Sequence, residues 1–186
     1  MAATFNWCED NGAATGSPAH GTTRSQLSTP PTDVSWKNTD DAKTSSGGTL
    51  YSASPIVAGN NSFTKYQYGQ FSGSYNEILN GKWSAHTAPS GSLATGLTLM
   101  GVVTSTYATP STTTNASLTV NFTTAVAIGS GQTVQFAADP SNASPGATLA
   151  SGGGFTQYLA TQLQTTSSAS AGDMASITVT LQYDEN

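Results

Sequence analysis

Charge is what this chain has least of: only 8% of its residues are Asp, Glu, Lys or Arg, against about 25% in an ordinary soluble domain. No Lys or Arg follows Lys82, so residues 83–186 carry only the acids Asp139, Asp173, Asp184 and Glu185. With a net charge of -5 there is no basic stripe to displace counterions from a phosphate backbone, and no nucleic-acid partner is expected. The single cysteine, Cys8, has no partner for an intrachain disulfide, so stability must come from packing or assembly. Long apolar runs are also missing. The least polar stretch, "LATGLTLMGVV", is about half the length of a transmembrane helix. The opening "MAATFNWCED" has neither the basic start nor the apolar run of a secretory signal. The expectation is a chain made in a cytoplasm with no membrane partner.

What remains is hydroxyl-rich, with Ser and Thr supplying nearly a third of the chain. Low charge with many glycines does not imply disorder here, because Val, Ile, Leu and aromatic residues recur in ordered patterns. Residues 1–33 hold Gly12, Gly16, Pro18, Gly21, Pro30 and Pro31, which reads as an extended N-terminal arm. In this reading Phe5 and Trp7 dock either on their own domain or into a neighbouring subunit as partner-binding anchors. From residue 34 short extended pieces follow: "DVSWK", "TLYSASPIVAG", "GSYNEIL" and "KWS". Period two puts Tyr66 and Tyr68 on one strand face and Phe63 and Phe71 on the other. Leu118, Val120, Phe122, Val126 and Ile128 share one parity, as do Phe155, Leu159 and Leu163, and again Ile177, Val179, Leu181 and Tyr183. No helical period competes with these. The fold class is therefore all-β: an antiparallel β-sandwich over residues 34–186, immunoglobulin-like or jelly-roll, with a candidate sub-boundary at 86–92.

Chemistry-bearing residues are few. Cys8, His20 and His86 are all the neutral-pH nucleophile and base material, and their spacing does not call for a pair. They also give too few ligands for zinc. Asp33, Asp40 and Asp41 are candidates for paired-carboxylate chemistry or for a hard cation, although no D-x-D-x-D-G spacing is present. A solvated turn explains them as well, so neither a metal nor a cofactor is expected. "GSGQT" and "SGGGF" lack the Lys of a phosphate-binding loop. The stretch "SFTKYQYGQFSGSYNEILNGKWS" concentrates large rings in a chain otherwise short of them. Tyr66, Tyr68 and Trp83 could stack on sugar rings, with asparagines alongside. Alternating rings in strands are also ordinary core and cross-strand pairs.

The succession "VSWKNTDD", "SPIVAGNNSFTKYQYGQFSG" and "SYNEILNGKWS", with the chain end "ITVTLQYDEN", resembles structural proteins of tailed bacteriophages. The resemblance covers about fifty residues and the last ten. It implies a non-enzymatic virion protein, made in the host cytoplasm and assembling in many copies with other virion structural proteins and with itself. Its place would be capsid decoration or a neck, collar or tail component. No catalytic residue comes with it. The alternative is a carbohydrate-binding module on a host-attachment organelle. In the virion reading the aromatic stretch is sheet interior, and Gly69, Gly73 and Gly81 mark bulges or turns where chains come close.

Overall fold

Apolar residues alternate with small polar ones from the third residue onward, and the chain pairs accordingly. In the computed structural model, residues 2–27, 36–42, 44, 47–87, 93–123, 131–170 and 177–186 are described. The strands are β1 (Ala3–Thr15), β2 (His20–Gln26), β3 (Lys65–Gly73), β4 (Glu77–Thr87), β5 (Leu97–Thr104), β6 (Val120–Asn121), β7 (Gln132–Thr133), β8 (Phe136–Ala137), β9 (Thr148–Ala150), β10 (Gly154–Thr156), β11 (Tyr158–Thr165) and β12 (Ile177–Glu185). A single turn of 3-10 helix spans Tyr51–Ala53. An eight-stranded sheet runs β2-β1-β3-β11-β5-β6, with β10 on β3 and β8 on β10. A four-stranded sheet runs β12-β4-β7, with β9 also on β4. Pairings throughout are antiparallel.

The two sheets stack as a sandwich. Trp7 from the large sheet meets Trp83 from the small one with ring centroids 4.6 Å apart. Trp83 is fully buried with Leu99, Phe122, Val134, Leu159 and Leu163. At one end Phe71, Phe136, Ile78 and Leu149 form a second cluster, against which Phe5, Leu181 and Tyr183 pack. Two sheets come this close only where side chains give way. A Cβ on Gly69 would lie 2.5 Å from the Phe5 ring, and one on Gly81 would lie 2.6 Å from Val134 Cγ1. Gly73, at φ 93°, turns the chain out of β3. The candidate sub-boundary at 86–92 falls mostly outside the described residues, yet Trp83 and Leu99 on its two sides share one core.

The large sheet is covered on its other face too. Tyr66, Tyr68, Tyr158 and Ala160 point away from the small sheet and are buried under Tyr107 and Leu118 of the segment after β5. Gln162 fastens that segment. Its Nε2 donates to the carbonyls of Ser62 and Thr113 at 3.1 and 2.9 Å, while its Oε1 accepts from Asn115 N at 3.1 Å.

Several expectations are corrected. Residues 3–26 form no arm: β1 pairs with β3 from Ala3 to Asp10, and β2 is its hairpin partner at the sheet edge. Of the residues that read as a loop, Gly16 and Pro18 lie in the tight turn, Gly12 lies in an irregularity between Asn11 and Ala14, Gly21 pairs with Ala14 inside β2, and Pro30 and Pro31 lie outside the described residues. Trp36 and Lys37 lie in a loop, and Tyr51–Ala53 is a helical turn where an extended piece was expected. Leu118 and Phe122 share a parity but are buried in different layers, because the chain joins the sheet only at Val120. Phe155 likewise packs with the tyrosine layer and not with Leu159 and Leu163, since Gln157 interrupts the strand between β10 and β11. Val126 and Ile128 lie outside the described residues.

Candidate functional site

In so uncharged a chain, the place where charges gather is the natural candidate site. It lies where β1, β2 and β3 meet the loop residues 36–42 and 47–49. Successive residues of β1 face opposite sides of the sheet, so "CEDN" sends Glu9 toward the small sheet and Asp10 toward the tyrosine layer. Both are buried, at 1% and 0% exposure. An isolated buried carboxylate is costly, so each needs cations or donors around it.

Glu9 Oε1 accepts from Lys65 Nζ at 2.7 Å and from Asn11 Nδ2 at 2.9 Å, and its Oε2 accepts from Gln67 Nε2 at 3.1 Å. Lys65 Nζ donates in addition to the Asp41 carbonyl at 3.2 Å, binding the loop to the sheet. Beneath that loop the fully buried Lys37 donates to the Thr49 carbonyl at 2.5 Å and pairs with Asp41 Oδ1 at 2.8 Å. Burial works to raise the Asp41 pKa, but Lys37 and the Thr49 N–H outweigh it, and the carboxyl is held below its ordinary value.

On the opposite face, Asp10 accepts from the hydroxyls of Tyr158 at 2.6 Å and Tyr68 at 2.9 Å. Arg24 Nε lies 3.3 Å from the same carboxylate, and the rest of its guanidinium forms a fork on Asp139, at 2.6 and 3.2 Å. Burial, and then the neighbouring Asp10 charge, pushes both tyrosine hydroxyls far above their ordinary value, so they stay protonated donors. These groups knit strands together and present no reactive atom.

Asp40 differs from the other acids. Its Oδ1 accepts from Asn11 Nδ2 at 2.9 Å and its Oδ2 from Gly12 N at 2.8 Å, both uncharged donors. It opens with Asn11, Thr23, Ser25 and Asp41 on a cavity of about 370 Å³ between the hairpin and the loop.

The residues singled out from sequence fare unequally. Asp40 and Asp41 are brought together at this cavity; Asp33 lies outside the described residues. Tyr66, Tyr68 and Trp83, at 3%, 2% and 0% exposure, are core residues and offer no platform to a sugar. Phe5 and Trp7 are half-buried and stack within the chain, on Phe71, Tyr183 and Trp83, so they are not free as anchors of an arm. Cys8 is buried, and burial followed by the Asp10 charge pushes its thiol up to about 11. It pairs with Gln26, whereas His20 sits at the hairpin's far end opposite Thr15. That places the two about 20 Å apart at the rise of a strand. His20 Nδ1 lies 2.9 Å from the Gly21 carbonyl. The His86 side chain lies outside the described ones. Among the described residues no three His, Cys, Asp or Glu side chains form a group fit to hold a metal.

Sequence reasoning missed Glu9, Asp10, Asn11, Arg24 and Lys65. The signal was there in period two: "FNWCEDN" places Glu9 in line with Phe5 and Trp7, and "KYQY" places Lys65 in line with Gln67 on the face opposite Tyr66 and Tyr68. Comparison with protein-family models, with curated proteins and with solved structures found no match to this chain. The function therefore rests on the geometry and on the sequence resemblance.

Proposed function

We propose that this chain is a non-enzymatic structural protein of a tailed-phage virion, present in many copies as a capsid decoration or as a neck, collar or tail component. The observation that carries the reading is the inward direction of its charge. Arg24, Lys37 and Lys65 are engaged by Asp10, Asp139, Asp41 and Glu9 inside the fold or at its seams. Asp184 and Glu185 of β12 are exposed, but with Ser and Thr nearly a third of the chain and only 8% of residues charged, the surface as a whole has few charges to desolvate. Such a surface loses less on desolvation than a Lys/Glu surface when it tiles against a neighbour, and interface cores are depleted of charge for that reason. The sheet edges add to this. Among the described residues β2 and β12 each have a strand neighbour on one side only, which leaves backbone donors and acceptors for another subunit.

The partners in this reading are copies of the same chain and other virion proteins. Nucleic acid is not among them, because of the acidic balance. No helix among the described residues is long and apolar enough to cross a membrane. The carbohydrate-binding alternative loses support because its three ring residues are interior.

Quantitative mass spectrometry of gradient-purified phage particles tests the proposal. The expected result is this chain at tens of copies per particle, resistant to high-salt washing. Its absence from particles, with recovery only from infected-cell lysate, would overturn it.

A further inference from the structure

We infer that Lys65 and Asn11 join through an isopeptide bond, formed by the folded chain on itself with Glu9 as the proton carrier. The placement follows from sheet register. β1 and β3 pair from Ala3↔Gly73 to Asp10↔Tyr66, so Asn11 and Lys65 are the next residues across, and period two puts both on the face of Glu9 and Gln67. Glu9 Oε1 lies between them, 2.7 Å from Lys65 Nζ and 2.9 Å from Asn11 Nδ2. One carboxylate oxygen thus touches both the amine that attacks and the nitrogen that leaves. Gln67 Nε2, donating to Oε2 at 3.1 Å, holds the carboxylate in that orientation.

The surroundings favour the reaction. Glu9, Asn11, Lys65 and Gln67 are each at most 3% exposed, so the site is dry. Taking an ion pair out of water costs both partners, and passing one proton from Nζ to Oε1 removes both charges and leaves a neutral, nucleophilic amine. The leaving nitrogen is fixed between two carboxylates, since Asn11 Nδ2 also donates to Asp40 Oδ1 at 2.9 Å. A rival nucleophile for the same amide carbon, the Gly12 backbone nitrogen, is turned to Asp40 Oδ2 at 2.8 Å. Asn11 also lines the cavity under the loop, which gives expelled ammonia an exit.

Lys65 Nζ gives one proton to Glu9, and its lone pair adds to Asn11 Cγ, placing negative charge on Oδ1 of a tetrahedral carbon. Glu9 passes that proton to Nδ2; the Cγ–Nδ2 bond breaks, the carbonyl re-forms and ammonia leaves. A second proton from Nζ travels by way of Glu9 to the ammonia. One lysine ammonium and one asparagine amide thereby become one secondary amide and one ammonium ion, with no oxidant, reductant or cofactor. The Glu9–Lys65 ion pair is the state before this reaction. In a chain whose one cysteine excludes an internal disulfide, the bond ties β1 to β3 and closes a long loop in the unfolded chain, and thiols do not cleave it. The chain acts once, on itself, which fits a non-enzymatic protein.

Intact-mass spectrometry of the purified full chain, followed by a tryptic map under denaturing conditions, tests the inference. The expected mass is one ammonia, about 17 Da, below that of the sequence. The expected map joins the peptide ending at Arg24 to the one running from Thr44 to Lys82, uncut at Lys65. Folded Glu9→Gln and Lys65→Arg proteins should keep the full mass. A folded wild-type chain still at full mass after prolonged incubation at neutral pH would overturn the inference. So would a mass loss with Lys65 still cleaved, the mark of a succinimide at Asn11–Gly12, or peptides joined as fully in Glu9→Gln as in wild type. The wild-type map decides even if a variant does not fold, and its outcome is independent of whether the chain is found in particles.

Discussion

The Tyr158 hydroxyl donates to Asp10 Oδ2 at 2.6 Å across 148 residues of sequence, closing the large sheet from its first strand to β11. Tyr68 does the same from β3 at 2.9 Å, so one fully buried carboxylate ties three strands together. Asp10→Ala removes the acceptor for two buried hydroxyls and for Arg24. It should cost about 3–5 kcal/mol, as expected when a buried charge network loses a partner. Tyr158→Phe should cost about 1.5–3 kcal/mol, the range for one hydrogen bond to a charged group. Urea unfolding of both variants checks this; an Asp10→Ala protein within about 1 kcal/mol of wild type would contradict it.

The Glu9–Lys65 pair at 2.7 Å makes a sharper case, because neither residue is more than 3% exposed. Lys65→Met leaves a carboxylate with only Gln67 and Asn11, and stability should fall by about 3–5 kcal/mol. Adding Glu9→Gln removes the stranded charge, and the double variant should recover part of the loss. A double-mutant cycle with no coupling would show that the pair is not holding β1 to β3.

Acid should act at the Arg24–Asp139 seam. Burial alone would raise the Asp139 pKa, but hydrogen bonds from Arg24 and Ser141 overcome it and bring the value to about 2 from 3.8. A depressed folded value means the contribution is complete above pH about 4 and is lost as pH falls toward about 2. Both side chains are about a third exposed, so solvent screening limits the effect to roughly 1 kcal/mol or less. The difference in urea midpoint between wild type and Asp139→Asn should be present at pH 7 and shrink by pH 2.5. A difference that does not change with pH would count against the pair.

Cys8 provides a probe of the hairpin. Buried in the tyrosine layer, with a thiol pushed up to about 11, it should resist alkylation at pH 7.5 in the native protein and react at once in urea. Rapid native labelling would mean that β1 is not seated on β3. Deletion of residues 1–30 should likewise unfold the protein, since it strips two strands from the large sheet.

Much of the fold was legible from period two alone. Ile177, Val179, Leu181 and Tyr183 share the inner face of β12, and Tyr66 and Tyr68 sit opposite Phe71 on β3. What period two could not reveal is the second covering layer. A sheet buried on both faces puts the tyrosines of β3 inside, where a one-sided sandwich would have left them exposed to a sugar. The arm was misread because glycine and proline density was weighed above the alternation in "TFNWCED". The site was half legible. Asp40 and Asp41 were picked from the loop; Lys37 stands only four residues before Asp41, but Asn11 reaches Asp40 through tertiary packing across 29 residues, which no local pattern encodes.

The most direct test of the structural role is imaging of intact phage particles by electron cryomicroscopy. The account predicts density for this two-sheet module repeated with the symmetry of the head surface, the neck or the tail, with copies in contact through hydroxyl-rich faces. A complete particle map with every density assigned to other chains would contradict it.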